Sequence, residues 1–212
     1  MMLRQPIPGR IFLAPGKFND FKTLERFHYR PRRPRTIADV VAAWHQLPHV
    51  PPRCIGVGVL SWPTACQATR HKVLLLNDLS YGEKLRFANV NIRTISRVVV
   101  HPTFRSLGVS TAIVRALIAR CPTRYIESAA MMAHASPLFA RAGMRRFDPA
   151  EPDKPVYFLF DKWLDRLPWS ERVIPGIPPP PGTPGRGQRE GEARGVAVGQ
   201  TFLSVTAFHA AQ

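Results

Sequence analysis

The chain has 212 residues, of which 45% are hydrophobic and 21% charged, and it carries 30 Lys and Arg against 14 Asp and Glu for a formal net charge of +16. That length and apolar content exclude a wholly disordered chain, no run approaches the ~20 apolar residues of a membrane span, and three cysteines without ligand spacing exclude a disulfide scaffold or a cysteine metal site. The excess of positive charge predicts attraction to polyanions, namely nucleic acid, acidic protein, an anionic membrane surface or a phosphorylated cofactor. An arginine-rich proteome explains the same excess without any partner. The odd cysteine count, Cys54, Cys66 and Cys121, fits a reducing, cytoplasmic setting, and the apolar Ile11–Ala14 is too short for a signal-peptide core, so a soluble, unexported protein without a membrane partner is expected.

The first fifteen or so residues carry Pro6, Pro8, Gly9, Pro15 and Gly16 and are expected to be extended. Phe18 to Tyr29 place Phe18, Phe21, Leu24 and Phe27 near helical spacing, and Pro31 limits that helix. Arg30-Pro31-Arg32-Arg33-Pro34-Arg35 is then a cationic elbow held extended by proline. Its guanidinium groups suit a phosphate backbone of nucleic acid; a solvated loop packed against acidic neighbours is the competing reading. Ile37–His45 and Cys54–Leu60 read as two strands of a meander, the second alternating Ile55, Val57 and Val59 with Gly56 and Gly58. Residues 66–92 are expected to insert two helices, around Leu74–Leu76 and around Leu85–Phe87.

The most informative stretch is 95–119. Val98, Val99 and Val100 form a β-branched run that Pro102 ends, and apolar residues from Thr111 to Ile118 recur at helical spacing. Between them Arg105-Ser106-Leu107-Gly108-Val109-Ser110 offers a row of backbone N–H groups at a helix start, where the dipole is positive and an anionic phosphate is favoured. Downstream, 124–129 reads as a strand, 136–142 as a short helix stopped by Gly143, and 156–160 as a last strand. Residues 175–195 are so rich in Pro and Gly that a disordered linker is expected, followed by an apolar stretch, 196–212, without a clear partner.

A strand of the form V-x-x-H/D-P followed by R-x-x-G-x-G/A/S and an amphipathic helix resembles the acetyl-coenzyme-A motif of the GCN5-related N-acetyltransferase superfamily. The order of elements over about 37–162 is similar too, including a helix ending in Ala-Gly-Met before the next strand. The resemblance implies an α/β fold of the α+β kind, with a mixed, mostly antiparallel sheet, a splayed parallel strand pair and flanking helices. It divides the chain into a basic N-terminal extension, 1–36, a transferase-like domain, 37–168, and a Pro/Gly-rich tail, 169–212. The activity it implies is direct transfer of an acyl group from acetyl-coenzyme A to an amine, in a monomer or homodimer; a basic binding module that has lost turnover is the alternative.

For the cofactor, the resemblance implies contacts from Val98, Val99 and Val100 and from Arg105, Ser106, Leu107, Gly108, Val109, Ser110 and Thr111. A backbone N–H near the end of the 97–100 strand would polarise the thioester carbonyl. Two departures stand out: Ser110 where Gly or Ala is usual, and Phe139 where many relatives place the tyrosine that reprotonates the coenzyme A thiolate. Phenylalanine has no proton to give. Glu127, on the strand that splays from the cofactor strand, is the first candidate base, with an outward-facing structural glutamate as the competing reading. His134, where relatives often carry an asparagine, is the second candidate, and His101 reads as a loop cap. No metal site is expected.

Overall fold

The computed structural model describes residues 8–29 and 33–164. Arg30 and Arg32 of the basic elbow, and the tail assigned to 169–212, lie outside the described residues. Seven strands form one sheet in the order β1-β2-β3-β4-β5-β7-β6. They are β1 (Arg10–Pro15), β2 (Asp39–Gln46), β3 (Arg53–Ser61), β4 (Ile92–Val100), β5 (Tyr125–Ala130), β6 (Arg145–Phe147) and β7 (Val156–Asp161). Every pairing is antiparallel except that of β4 with β5. The helices are α1 (Phe18–Leu24), α2 (Ala68–Val73), α3 (Tyr81–Asn91), α4 (Val109–Arg120) and α5 (Leu138–Arg141). The mixed sheet with one parallel pair and flanking helices is the expected fold. Among the described residues no helix is long and apolar enough to cross a membrane.

Two elements differ from their sequence reading. Within the N-terminal stretch expected to be an extended arm, Arg10–Pro15 pairs with Val41–Gln46 as the edge strand of the sheet. The sheet therefore begins well before residue 37. The leucine trio expected to centre a helix instead follows one: α2 ends at Val73, Leu74 caps it, Leu75 turns outward at φ 52°, and only Leu76 is buried. Pairing with a distant strand and the local chain reversal both escape a periodicity argument.

The sheet is covered on both faces. On one, α4 buries Val109, Ile113, Val114, Leu117 and Ile118, each worth about 1.5–3 kcal/mol relative to exposure. The helix comes close because Gly56 and Gly58 lack side chains: a Cβ on Gly58 would meet Ile113 and lie 2.8 Å from Leu117. On the other face, Phe21 and Leu24 of α1 pack against Val40, Val57, Val59 and Val99. Val99 thus points towards α1, while Val98 and Val100 on either side pack into the α4 core.

The central event for function is that β4 and β5 part company. Their ladder has three rungs, Ile92 with Tyr125, Arg93 with Ile126 and Thr94 with Glu127, and then stops. Beyond it β4 continues to Val100, paired only with β3, and β5 continues to Ala130, paired only with β7. A register shift between Val59 and Leu60, opposite Arg97 and Ile95, leaves Ser96 as an extra residue in β4 just past the last rung. Such a bulge bends its strand and strengthens the local twist. The bend falls where the strands separate.

Candidate active site

The separated halves of β4 and β5 border a cavity of about 770 Å³. Val98, Val99 and Val100 line it, as do Arg105, Ser106, Gly108, Val109, Ser110 and Thr111, so nine of the ten residues expected at the cofactor share one wall. Leu107 is the exception: it is exposed and does not line the cavity. The opposite wall is Ser128, Ala129 and Ala130 of β5, with Leu138, Phe139 and Arg141.

The turn between β4 and α4 is built to present donors. Gly108 sits at the N-cap in the left-handed region, φ 80°, and Ser106 two residues earlier at φ 67°. No side chain caps the helix, and its first internal bond is from Ala112 N–H to the Gly108 carbonyl. The N–H groups of Val109, Ser110 and Thr111 therefore have no partner within the helix and lie at its positive end. A Cβ on Gly108 would meet nothing within 4 Å, so conformation alone, not crowding, calls for glycine there. Arg105 braces the turn: its Nε donates to the Val100 carbonyl at 3.3 Å and its Nη2 to the Phe27 carbonyl at 3.4 Å.

Charge is distributed one-sidedly around this cavity. Arg26, Arg97, Arg105 and Arg141 line it, and none of the described lining residues is an Asp or Glu. Beyond Thr94 the inner edge of β4 has no neighbouring strand and adds main-chain donors and acceptors, since alternate residues of a strand turn their N–H and C=O to opposite sides. A long, flexible, polyanionic ligand with an amide-bearing arm fits these surroundings: anion donors at the turn, peptide edges along the slot. Coenzyme A has that composition.

Glu127 has a different place from the one expected for a base. It is buried at 3% exposure beside Arg70, which is fully buried. Arg70 grips it with two bonds, Nε to Oε2 at 2.9 Å and Nη2 to Oε1 at 2.6 Å, while Arg70 Nη1 donates to the Thr64 carbonyl. Thr94 donates to Oε1 and the Tyr157 hydroxyl to Oε2, both at 2.8 Å. Four donors occupy the roughly four acceptor positions of a carboxylate, so none is left for an amine proton. Glu127 is an anchor in this arrangement. The pair holds Arg70 charged more firmly than usual, burial opposing and the Glu127 hydrogen bond and charge prevailing, and burial first, then the Glu127 charge, pushes the Tyr157 phenol upward. Nothing in the sequence near Glu127 signals this. Arg70 is 57 residues away, in the stretch expected only to insert two helices.

His134 also falls outside the cavity: it is exposed and its Nε2 lies 3.1 Å from the Lys154 carbonyl. His101 caps a turn, as read, with Nδ1 accepting from Thr103 N–H at 3.4 Å and Nε2 lying 3.1 Å from Arg53. Burial, then Arg53, Arg26 and Arg105, lower its pKa. Phe139 lines the slot with its ring 5.1 Å from that of Phe158, an apolar wall where the resemblance implied a proton donor. Of the elbow, Arg33 lies 3.5 Å from Glu25, and Arg35 is described at the surface. Among the described residues no group of three His, Cys, Asp or Glu is placed to hold a metal ion.

No family model matches the chain and no curated protein does. Solved structures to which it is similar include a polyamine N-acetyltransferase from Drosophila melanogaster, 11% identical over 72% of this chain and 100% of that one, with a TM-score of 0.46. Others are diaminobutyrate acetyltransferase from Paenibacillus lautus (13%, 72% and 95%, TM-score 0.46) and the ribosomal-protein-S18-alanine N-acetyltransferase of Escherichia coli (9%, 71% and 91%, TM-score 0.43). The strand order, the parallel pair that opens after Thr94 and the glycine-capped helix beside the opening together give this chain the fold of the GCN5-related N-acetyltransferases.

Proposed function

We propose that the protein is an acetyl-coenzyme-A-dependent N-acyltransferase of that superfamily, with the slot between β4 and β5 as its cofactor site. The observation that carries the proposal is the convergence on one cavity of nine sequence-nominated residues, an uncapped helix N-terminus and four arginines, with no carboxylate among the described lining. The N–H groups from Ser106 to Thr111 would hold the pyrophosphate, and the edge of β4 between Val98 and Val100 that has no neighbouring strand the pantetheine arm. Coenzyme A supplies an activated acyl thioester. The chain's part is to align that thioester with an amine entering through the same gap and to place a β4 N–H at the carbonyl oxygen as negative charge develops there.

Proton handling falls to water and to the site's field. Glu127 is saturated, His134 is outside and Phe139 has no proton, so the amine proton leaves through solvent and the thiolate is reprotonated from solvent. The same three observations favour a second reading, a binding module that keeps coenzyme A and has lost turnover. In either reading Arg30, Arg32, Arg33 and Arg35 are proposed to meet a polyanion such as nucleic acid. Calorimetry with acetyl-coenzyme A tests the site: saturable binding that weakens with salt is expected, and its absence refutes both readings. Release of free thiol in the presence of an amine panel then separates enzyme from module.

A further inference from the structure

Two arginines meet where α5 ends against α4. Arg115 Nη2 donates to the Arg141 carbonyl at 2.9 Å, and Arg141 lines the slot together with Ser110 and Thr111 from the start of α4. Other arginines of this half of the chain find acids: Arg120 holds Asp39, Arg124 holds Asp161 and Arg146 holds Asp148. Among the described residues neither Arg115 nor Arg141 has a carboxylate partner, and the bond to a carbonyl uses one of the five donors of Arg115. The Arg115 guanidinium thus lies against the residue that carries a second uncompensated charge. Like charges so placed repel until an anion lies between them.

The spacing along α4 gives that anion a size. Thr111 and Arg115 are four residues apart and share one face of the helix, about 5.4 Å along its axis. Side chains of a helix lean towards its N-terminus, so Arg115 leans back towards the N–H groups of Val109, Ser110 and Thr111. Coenzyme A bears two phosphate groups on one ribose, the pyrophosphate at the 5′ position and a monophosphate at the 3′ position, one sugar apart. With the pyrophosphate on the uncapped N–H groups, a group one sugar away reaches the level of Arg115 and Arg141. A phosphate monoester carries about −1.5 to −2 charges near neutrality, more than each phosphorus of the pyrophosphate bridge. The guanidinium fork matches its oxygens.

We infer that Arg141, with Arg115 beside it, holds the 3′-phosphate of coenzyme A and makes the slot select the 3′-phosphorylated cofactor. The inference rests on the cofactor site proposed above. Its test is calorimetry of the full chain with coenzyme A and with 3′-dephospho-coenzyme A, which differ only in that phosphate. The wild-type protein is expected to bind coenzyme A tenfold or more tightly than the dephospho form, and the preference is expected to shrink as salt rises. Arg141→Gln and Arg115→Gln are each expected to reduce the preference at least threefold. Both side chains are exposed, so neither substitution cuts the core. The preference is a ratio taken within one protein, and a general loss of affinity moves both ligands alike. Equal affinity of the wild-type protein for the two ligands, or a smaller reduction in either variant, overturns the inference. Binding of both ligands without preference refutes this inference alone, and binding of neither refutes the reading beneath it.

Discussion

The two ends of the β4–β5 pair use the same two strands for opposite purposes. At the closed end Thr94 and Glu127 are hydrogen-bonded across the last rung, and Arg70 and Tyr157 complete a buried, saturated cluster. At the open end, one residue further on, the ladder is gone and a slot lined by arginines and main-chain edges takes its place. Ser128 marks the boundary, its hydroxyl donating to the Ile95 carbonyl at 3.1 Å where a backbone bond would otherwise be. An opening of this kind exposes main-chain groups that a sheet normally pairs, so its length must be fixed by something that does not slip. A carboxylate held by donors from β4, β7 and α2 serves that purpose.

If the closed end is an anchor, the largest effect on stability comes from cutting it. Glu127→Ala strands the Arg70 charge in the core and is expected to cost about 3–5 kcal/mol, read as a lower denaturant midpoint. Glu127→Gln, which keeps part of the bonding, is expected to cost less and to leave the pH–rate profile with its wild-type shape. A lost basic limb in a folded Glu127→Gln protein would make Glu127 a base after all.

At the open end Gly108→Ala should separate binding from stability. The left-handed backbone costs an L-residue about 1–2 kcal/mol, and relaxation of that strain would turn the turn's N–H groups away from the slot. A clear loss of acetyl-coenzyme A affinity by calorimetry with no more than that loss of stability is expected. Unchanged affinity would detach the turn from the ligand. At the boundary, Ser128→Ala removes one buried donor and is expected to cost about 1 kcal/mol in chemical denaturation; no change would mean that the bond does not help to end the ladder.

The smallest effect concerns His101, at the end of β4. Its pKa is lowered in the folded protein, so below the ordinary histidine value of 6.5 the unfolded chain takes up the proton first and stability falls as pH falls through that window. His101→Gln is expected to flatten the decline in melting temperature below pH 6.5, and an unchanged slope would assign it to other groups.

The readable and unreadable parts of the sequence divide along the same boundary. The open end is local: Val98–Val100, the turn with Gly108 and the apolar face of α4 lie within 25 residues, and their chemistry depends on backbone geometry that neighbouring residues dictate. The closed end joins residues 70, 94, 127 and 157, and each alone looks ordinary. Arg70 lies in a stretch read only as a helical insertion, and the structure buries it completely. β1 was hidden in the same way, since an edge strand owes its existence to β2 and to nothing in its own proline-rich surroundings.

By itself, then, the sequence determined the segment that can cradle a phosphate, the order of strands and helices around it and the absence of a proton donor at Phe139. Only the tertiary structure decided that Glu127 is consumed by Arg70 and that β4, β5 and the stretch after α1 border one slot lined by four arginines. Propensity, turn chemistry and hydrophobic period are written within a few residues of one another. Ion pairs and cavities are made by residues that only folding brings together, and burial then decides whether a carboxylate is a base or a brace.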